Sequence, residues 1–377
     1  FSVLGAIAIF GILCFAQPRR ISALFSPWWL LMLAVMLFST QVSMAPSIVF
    51  RSYVFTVLGM VAIMAAVALP RDADGFATAL ATMSIIVLTV CYLGVFLYSS
   101  VAVHGFDVYE PQHSGFWRGS FAHKNVAGPV MAFLSYIGFY LYRRGWRAIG
   151  AGIFVGAIFF LLQTGSKTTA GLVPAAILAV ALPGLMGLRW LTAVGFILAM
   201  IVTAVGTLGV EFIPPFKAYI TENMPDFTYT GRTQLWRFVS ELIAQRPWTG
   251  FGFESVWGSP TVRDTYPAFD QTWDVRGIVN AHNGYLDIAV TMGLPALALA
   301  CIAMMIVPAI DYLRVPKRRE NIYLSDLFMM MIFFGAQNAF LESFFFKRAE
   351  PVWLLFFLAA FGMRYAARFP LKSPGEK

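Results

Sequence analysis

The chain has 377 residues, of which 59% are hydrophobic and only 12% charged, and its mean hydropathy is +0.72. An ordinary soluble domain carries about twice that share of charge, so that class is excluded. The net charge of +8 is scattered through short loops, the distribution that membrane topology requires rather than a nucleic-acid-binding patch.

Taken in chain order, apolar stretches of membrane-spanning length recur from end to end. They lie near 1–16, 27–44, 52–69, 77–102, 125–142, 148–166, 168–186, 190–212, 285–310, 326–342 and 351–367. This pattern predicts an all-α polytopic membrane protein with eleven transmembrane helices. It lacks the alternating ten-residue segments of a β-barrel. With the C-terminus on the cytoplasmic side, fifteen Lys and Arg fall in cytoplasmic loops and tail against six in the short loops opposite, which favours that orientation. An odd number of spans, in a chain that begins at Phe1 within apolar sequence, predicts one further span upstream, twelve in all. The organisation expected is transmembrane helices over 1–212, one large periplasmic loop over 213–281, and C-terminal helices with a cytoplasmic tail over 282–377. Cys14, Cys91 and Cys301 all fall in apolar segments and read as small buried side chains, with no disulfide framework or metal cluster.

The 69-residue loop concentrates the chemistry. It is rich in Trp and Tyr, and over 231–245 it carries the stripe Leu235, Phe238, Val239, Leu242 and Ile243 at helical spacing. Thr230 reads as the cap of this amphipathic helix and Pro247 as its stop, and the indoles suggest that it lies at the membrane interface. The loop's six cations and seven acids nearly cancel, so any anion site must be built from selected residues. Arg232, in the first helical turn, is the favoured one, because free backbone N–H groups and the helix dipole already favour an anion there. The plainer reading is a surface salt bridge to Glu241. Arg118, Lys124 and Lys167 lie at segment ends on the same side, where snorkelling to headgroups is the competing account. His104, His113, His123 and His282 are all assigned to that side as well. An imidazole titrates near neutrality and suits a general base, which makes His282 the candidate. Asp287 lies about 140° round a helix from it, so no His–Asp pair follows from local spacing. Asp72-Ala73-Asp74 resembles a metal–nucleotide motif, but a helix cap is the better reading.

Four marks together resemble the O-antigen ligase and polymerase superfamily of bacterial membrane glycosyltransferases. They are Arg118 through Asn125, the Thr164-Gly165-Ser166-Lys167 turn, Gly231-Arg232 through Trp236, and Pro247 through Gly252 followed by His282-Asn283-Gly284-Tyr285-Leu286. The resemblance implies an inverting, metal-independent and cofactor-free transfer from an undecaprenyl-diphosphate-linked oligosaccharide at the periplasmic face of the inner membrane. It makes His282 the base for the acceptor hydroxyl and Arg232 the stabiliser of the departing diphosphate. Arg118, Lys124 and Lys167 would assist Arg232, although relatives often carry Arg at the position of Lys167. Asn283, Trp236 and Tyr285 are the expected sugar contacts. His123-Lys124-Asn125 looks more like exopolysaccharide polymerases than lipopolysaccharide ligases, which often show Asn-Pro-Asn there. The expected activity is therefore polymerisation of repeat units, with ligation to lipid A core or a protein as the alternative. Membrane lipids, a chain-length regulator and export machinery are candidate partners, and nucleic acid is not. A transporter should show more mid-membrane polar residues than Gln163, Gln337 and Asn338, and in a scaffold His282 would be dispensable.

Overall fold

The computed structural model describes residues 2–106, 111–223, 232–264, 277–348 and 350–371. The described residues are helical, and among them the one β feature is an isolated bridge between Val103 and Trp117. The first helices are α1 (Ser2–Phe15), α2 (Pro18–Leu24), α3 (Pro27–Val42), α4 (Pro46–Ala68), α5 (Ala73–Leu97) and the single turn α6 (Ser99–Ala102). Next come α7 (Lys124–Arg144), α8 (Arg147–Gln163), α9 (Lys167–Leu185) and α10 (Arg189–Thr207). The long loop holds α11 (Gly209–Phe212) at its edge, then α12 (Pro214–Asn223), α13 (Arg232–Gln245) and α14 (Pro260–Arg263). Two helices, α15 (Gly284–Met292) and α16 (Leu294–Cys301), run through a π turn at Ile302–Ile306 into α17 (Val307–Arg314), and α18 (Arg319–Asn338) and α19 (Pro351–Arg368) complete the chain.

A helix occupies each of the eleven apolar segments, yet among the described residues only five are long and apolar enough by themselves to cross a membrane, or six if α2 and α3, bent by 67°, count as one. Two of the others, α1 and α8, are apolar but short. The remaining shortfall has a structural reason. Most residues of α7, α18 and α19 are buried, so these helices sit inside the bundle and carry charges that lipid would penalise. Examples are Arg143 and Arg144 on α7 and Glu320 and Asp326 on α18. Their packing uses small residues. A Cβ at Gly138 would lie 2.6 Å from the Phe154 amide nitrogen, and one at Gly150 2.4 Å from that of Tyr142, so α7 and α8 meet backbone to backbone. Outer helices such as α1, α5 and α10 instead leave large apolar side chains exposed.

One end of the bundle is fastened by ion pairs. Arg144 contacts Asp74 at 2.6 Å and Glu320 at 2.7 Å, while Arg143 and Arg189 each reach Asp326 at 2.9 Å. Asp72 caps α5 by accepting from the Gly75 amide at 2.8 Å, the role read from the sequence. Cys91 is buried and Cys301 partly so, but Cys14 lies exposed on α1, because that helix presents most of its surface outward.

Candidate functional site

The opposite end carries all four histidines. His104, His113 and His123 pack ring on ring, with centroids 4.8 to 5.9 Å apart, and His113 and His123 share a cavity wall with His282. The first turn of α7 is held by imidazoles, since Nε2 of His104 accepts from the Lys124 amide and Nδ1 of His123 accepts from that of Asn125. Gly165 makes the turn into α9 with a φ of +64° that glycine adopts without cost, and a Cβ there would strike Phe116 at 2.2 Å. That turn delivers Lys167 as the first residue of α9. Ser166, at the N-cap, donates to Thr169 Oγ1 at 2.8 Å rather than capping the helix, so no side chain caps the first amides of α9.

On the long loop, α13 begins among the described residues at Arg232 and ends at Gln245 before Pro247; Thr230 lies outside the described residues. Its apolar stripe does not face lipid. Leu235, Phe238, Val239 and Leu242 are buried in a small protein core with Phe251, Val256, Leu286 and Val290. The stripe packs onto α15 instead, which fixes where Arg232 points. His282 precedes α15 in the left-handed region, at φ +45°. A non-glycine residue there stores about 1 kcal/mol or more of strain, and such strain gathers at functional sites. Its neighbour Asn283 accepts from the amides of Tyr285 and Leu286 as the N-cap of α15.

These elements enclose two adjoining cavities. The smaller, about 250 Å³, is lined by Lys124, Lys167, Thr168, Arg232 and Glu342; the larger, about 620 Å³, by His282, Asn125, Arg232, Glu342, Lys347 and Glu350. Arg232 and Glu342 belong to both. The Arg232 guanidinium donates to Glu342 Oε1 at 2.9 Å, Asn125 Nδ2 donates to the same oxygen at 3.2 Å, and His282 Nδ1 lies 3.8 Å from Oε2, an ion-pair distance rather than a hydrogen bond. Burial pushes the Glu342 carboxyl up, but His282 and Arg232 beside it outweigh that and hold it below the usual glutamate range. Burial raises the Glu350 carboxyl, and Lys347 nearby does not outweigh it. The small cavity gathers three cations against one carboxylate, together with the uncapped start of α9, and so favours an anion. The large one offers an imidazole, half exposed, to a neutral polar group.

The structure therefore brings His282, Arg232, Lys124 and Lys167 together. It does not bring Arg118, whose guanidinium donates to the carbonyls of Val101 and Ala122 and lines neither cavity. The three expected sugar contacts are corrected by burial. Asn283 is fully buried and bonded to Phe340 O and Ser343 Oγ as well as to its helix. Trp236 is fully buried with Nε1 on Ala281 O, and Tyr285 is buried with its hydroxyl on Ala336 O, so neither ring offers a face to a ligand. Asp287 accepts from Trp257 Nε1 and the Ala281 amide, holding the loop rather than His282. Arg232 pairs with Glu342, not Glu241. Glu342 itself escaped the sequence reading. Its one signal is that it ends an apolar run on a side where the short loops hold few acids.

The class that fold and site define is a multi-pass helical membrane protein with a polar cleft, sorted into a cation-lined half and a histidine-bearing half, at one end of the bundle. Residues 152–301 match the family model described as O-antigen ligase, which supports the resemblance to the O-antigen ligase and polymerase superfamily and hence a membrane glycosyltransferase of that type. The matched span holds Lys167, Arg232 and His282, whereas Lys124 and Glu342 lie outside it. No curated protein matches the chain.

Proposed function

We propose that the chain transfers a glycan from an undecaprenyl-diphosphate carrier to a sugar hydroxyl, extending an exopolysaccharide by repeat units. The observation that carries this reading is the pair of cavities divided by Arg232 and Glu342. The diphosphate occupies the half lined by Lys124, Lys167 and Arg232, and the acceptor enters the half that holds His282. With Nδ1 turned to Glu342, the Nε2 of His282 takes the acceptor proton. The hydroxyl oxygen bonds to the anomeric carbon as the bond from that carbon to the diphosphate oxygen breaks. The electron pair leaves with the diphosphate, whose charge the three cations stabilise in a poorly hydrated site. No metal or cofactor enters these steps.

In this reading all eleven helical segments contribute to the membrane domain of a bacterial inner-membrane protein. The cleft faces the periplasm, with the 213–281 loop over it, and the C-terminus lies in the cytoplasm. Ligation of a finished glycan to lipid A core or a protein is the second reading, favoured by the description of the matching family model. Complementing a deletion strain with wild type, His282→Ala or Arg232→Ala, at matched membrane levels, tests both. Single lipid-linked repeats from the variants support polymerase; intact polymer lacking its final acceptor supports ligase. Full-length, correctly attached polymer from both variants overturns the catalytic assignment.

A further inference from the structure

We infer that the end of the bundle remote from His282 holds a binding site for an anionic phospholipid, in an arginine-rimmed cavity of about 520 Å³ between α2, the α4–α5 turn and the ends of α18 and α19. Leu324 in its wall and Asn338 in the catalytic cleft lie on the same helix, fourteen residues and so about 20 Å apart. The two sites are therefore separate, and this inference does not depend on the reaction proposed above.

The rim is basic. Arg19, Arg20 and Arg71 line it, and its one carboxylate, Asp72, is engaged as the cap of α5. Arg20 is tied to the carbonyls of Pro70 and Arg71, which fixes the turn. The guanidiniums of Arg19 and Arg71 are exposed and have no carboxylate partner among the described residues. This contrasts with Arg143, Arg144 and Arg189 at the same end, all of which are ion-paired. The floor is apolar, formed by Val67, Phe76, Phe328 and Phe369 among others. Just before α2, Leu13 and Phe15 are exposed on α1, so the cavity lies beside a surface suited to acyl chains. Two unengaged planar guanidiniums suit a phosphate diester, and an aromatic floor beneath a cationic rim suits the glycerol and first methylenes of a lipid rather than a free ion. Basic pockets between helices at a membrane surface bind lipid head groups in this way.

The test is native mass spectrometry of the purified full chain in detergent, titrated with phosphatidylglycerol or with phosphatidylcholine of the same acyl chains. Phosphatidylglycerol should bind at least about tenfold more tightly, and the Arg19→Gln/Arg71→Gln double variant should lose about that factor through two missing charge-assisted contacts. Both side chains are exposed, so the variant should melt like wild type. Arg147→Gln removes an exposed cation at the same end but outside the cavity, and should leave binding unchanged. Equal binding of the two lipids, or an unaffected double variant, overturns the proposal. So does displacement of phosphatidylglycerol by inorganic phosphate at comparable concentration, since that would mark a simple anion site.

Discussion

Both ends of the bundle are built on arginine–carboxylate pairs, but one set is closed and the other open. Arg144 is almost wholly buried between Asp74 and Glu320, and Asp326 is bracketed by Arg143 and Arg189. At the cleft, Arg232 has one carboxylate, remains partly exposed and borders two cavities. Charges that neutralise each other in the interior fasten helices together. A pair left half satisfied at a cavity wall can exchange its partner for a ligand. The ion pair alone does not distinguish clamp from site; the space beside it does.

The sharpest way to break this comparison is the same substitution at both ends. Arg144→Met strands the buried Glu320 carboxylate and should cost about 3–5 kcal/mol, read as a large fall in melting temperature and in membrane level. Arg232→Met should cost no more than about 1 kcal/mol, since its pair is partly exposed, while abolishing transfer. Equal destabilisation by the two would erase the distinction. A middle-sized effect is expected of Asn283→Ala, which removes a helix cap worth about 1–2 kcal/mol; a normal melting temperature with lost transfer would instead restore Asn283 as a sugar contact. The smallest is Glu342→Gln. The Glu342 pKa is depressed in the fold, so the stability it adds is present above the ordinary glutamate value of 4.5 and is lost as the pH falls through the depressed one. Wild type should therefore melt above Glu342→Gln at neutral pH, by an amount that fades in acid. A gap that widens in acid would contradict the assigned pairing.

Much of the cleft was legible because its residues mark junctions. His282 ends a polar loop, Lys167 fills a tight turn, and Arg232 opens an amphipathic helix whose stripe is periodic. The failures share a cause, which is that sequence reports polarity and not neighbours. Trp236 reads as a loop aromatic and Tyr285 as one at the edge of an apolar segment, yet Trp236 is buried where α13 packs on α15, and Tyr285 against Phe340 and Phe345. Arg118 sits among motif residues but turns back on its own loop. Glu342 lies sixty residues beyond His282, and no local spacing relates a residue after α18 to one before α15. A helix fills each of the eleven apolar segments, five or six of them of spanning length and apolarity among the described residues, and the polar faces of α7 and α18 are intelligible only once these helices are seen to lie inside the bundle.

The Glu342 carboxylate that holds Arg232 at 2.9 Å also bears on turnover. Under the proposed function, a diphosphate arriving at the cleft would take the guanidinium from a partner already in place, and that partner would be there to reclaim it as the carrier lipid departs. In that reading such a built-in competitor would loosen substrate and product alike, and would favour release of the long-chain diphosphate at the end of the cycle. Without it, Arg232 would grip the departing carrier more firmly and each round of transfer would wait longer for the next.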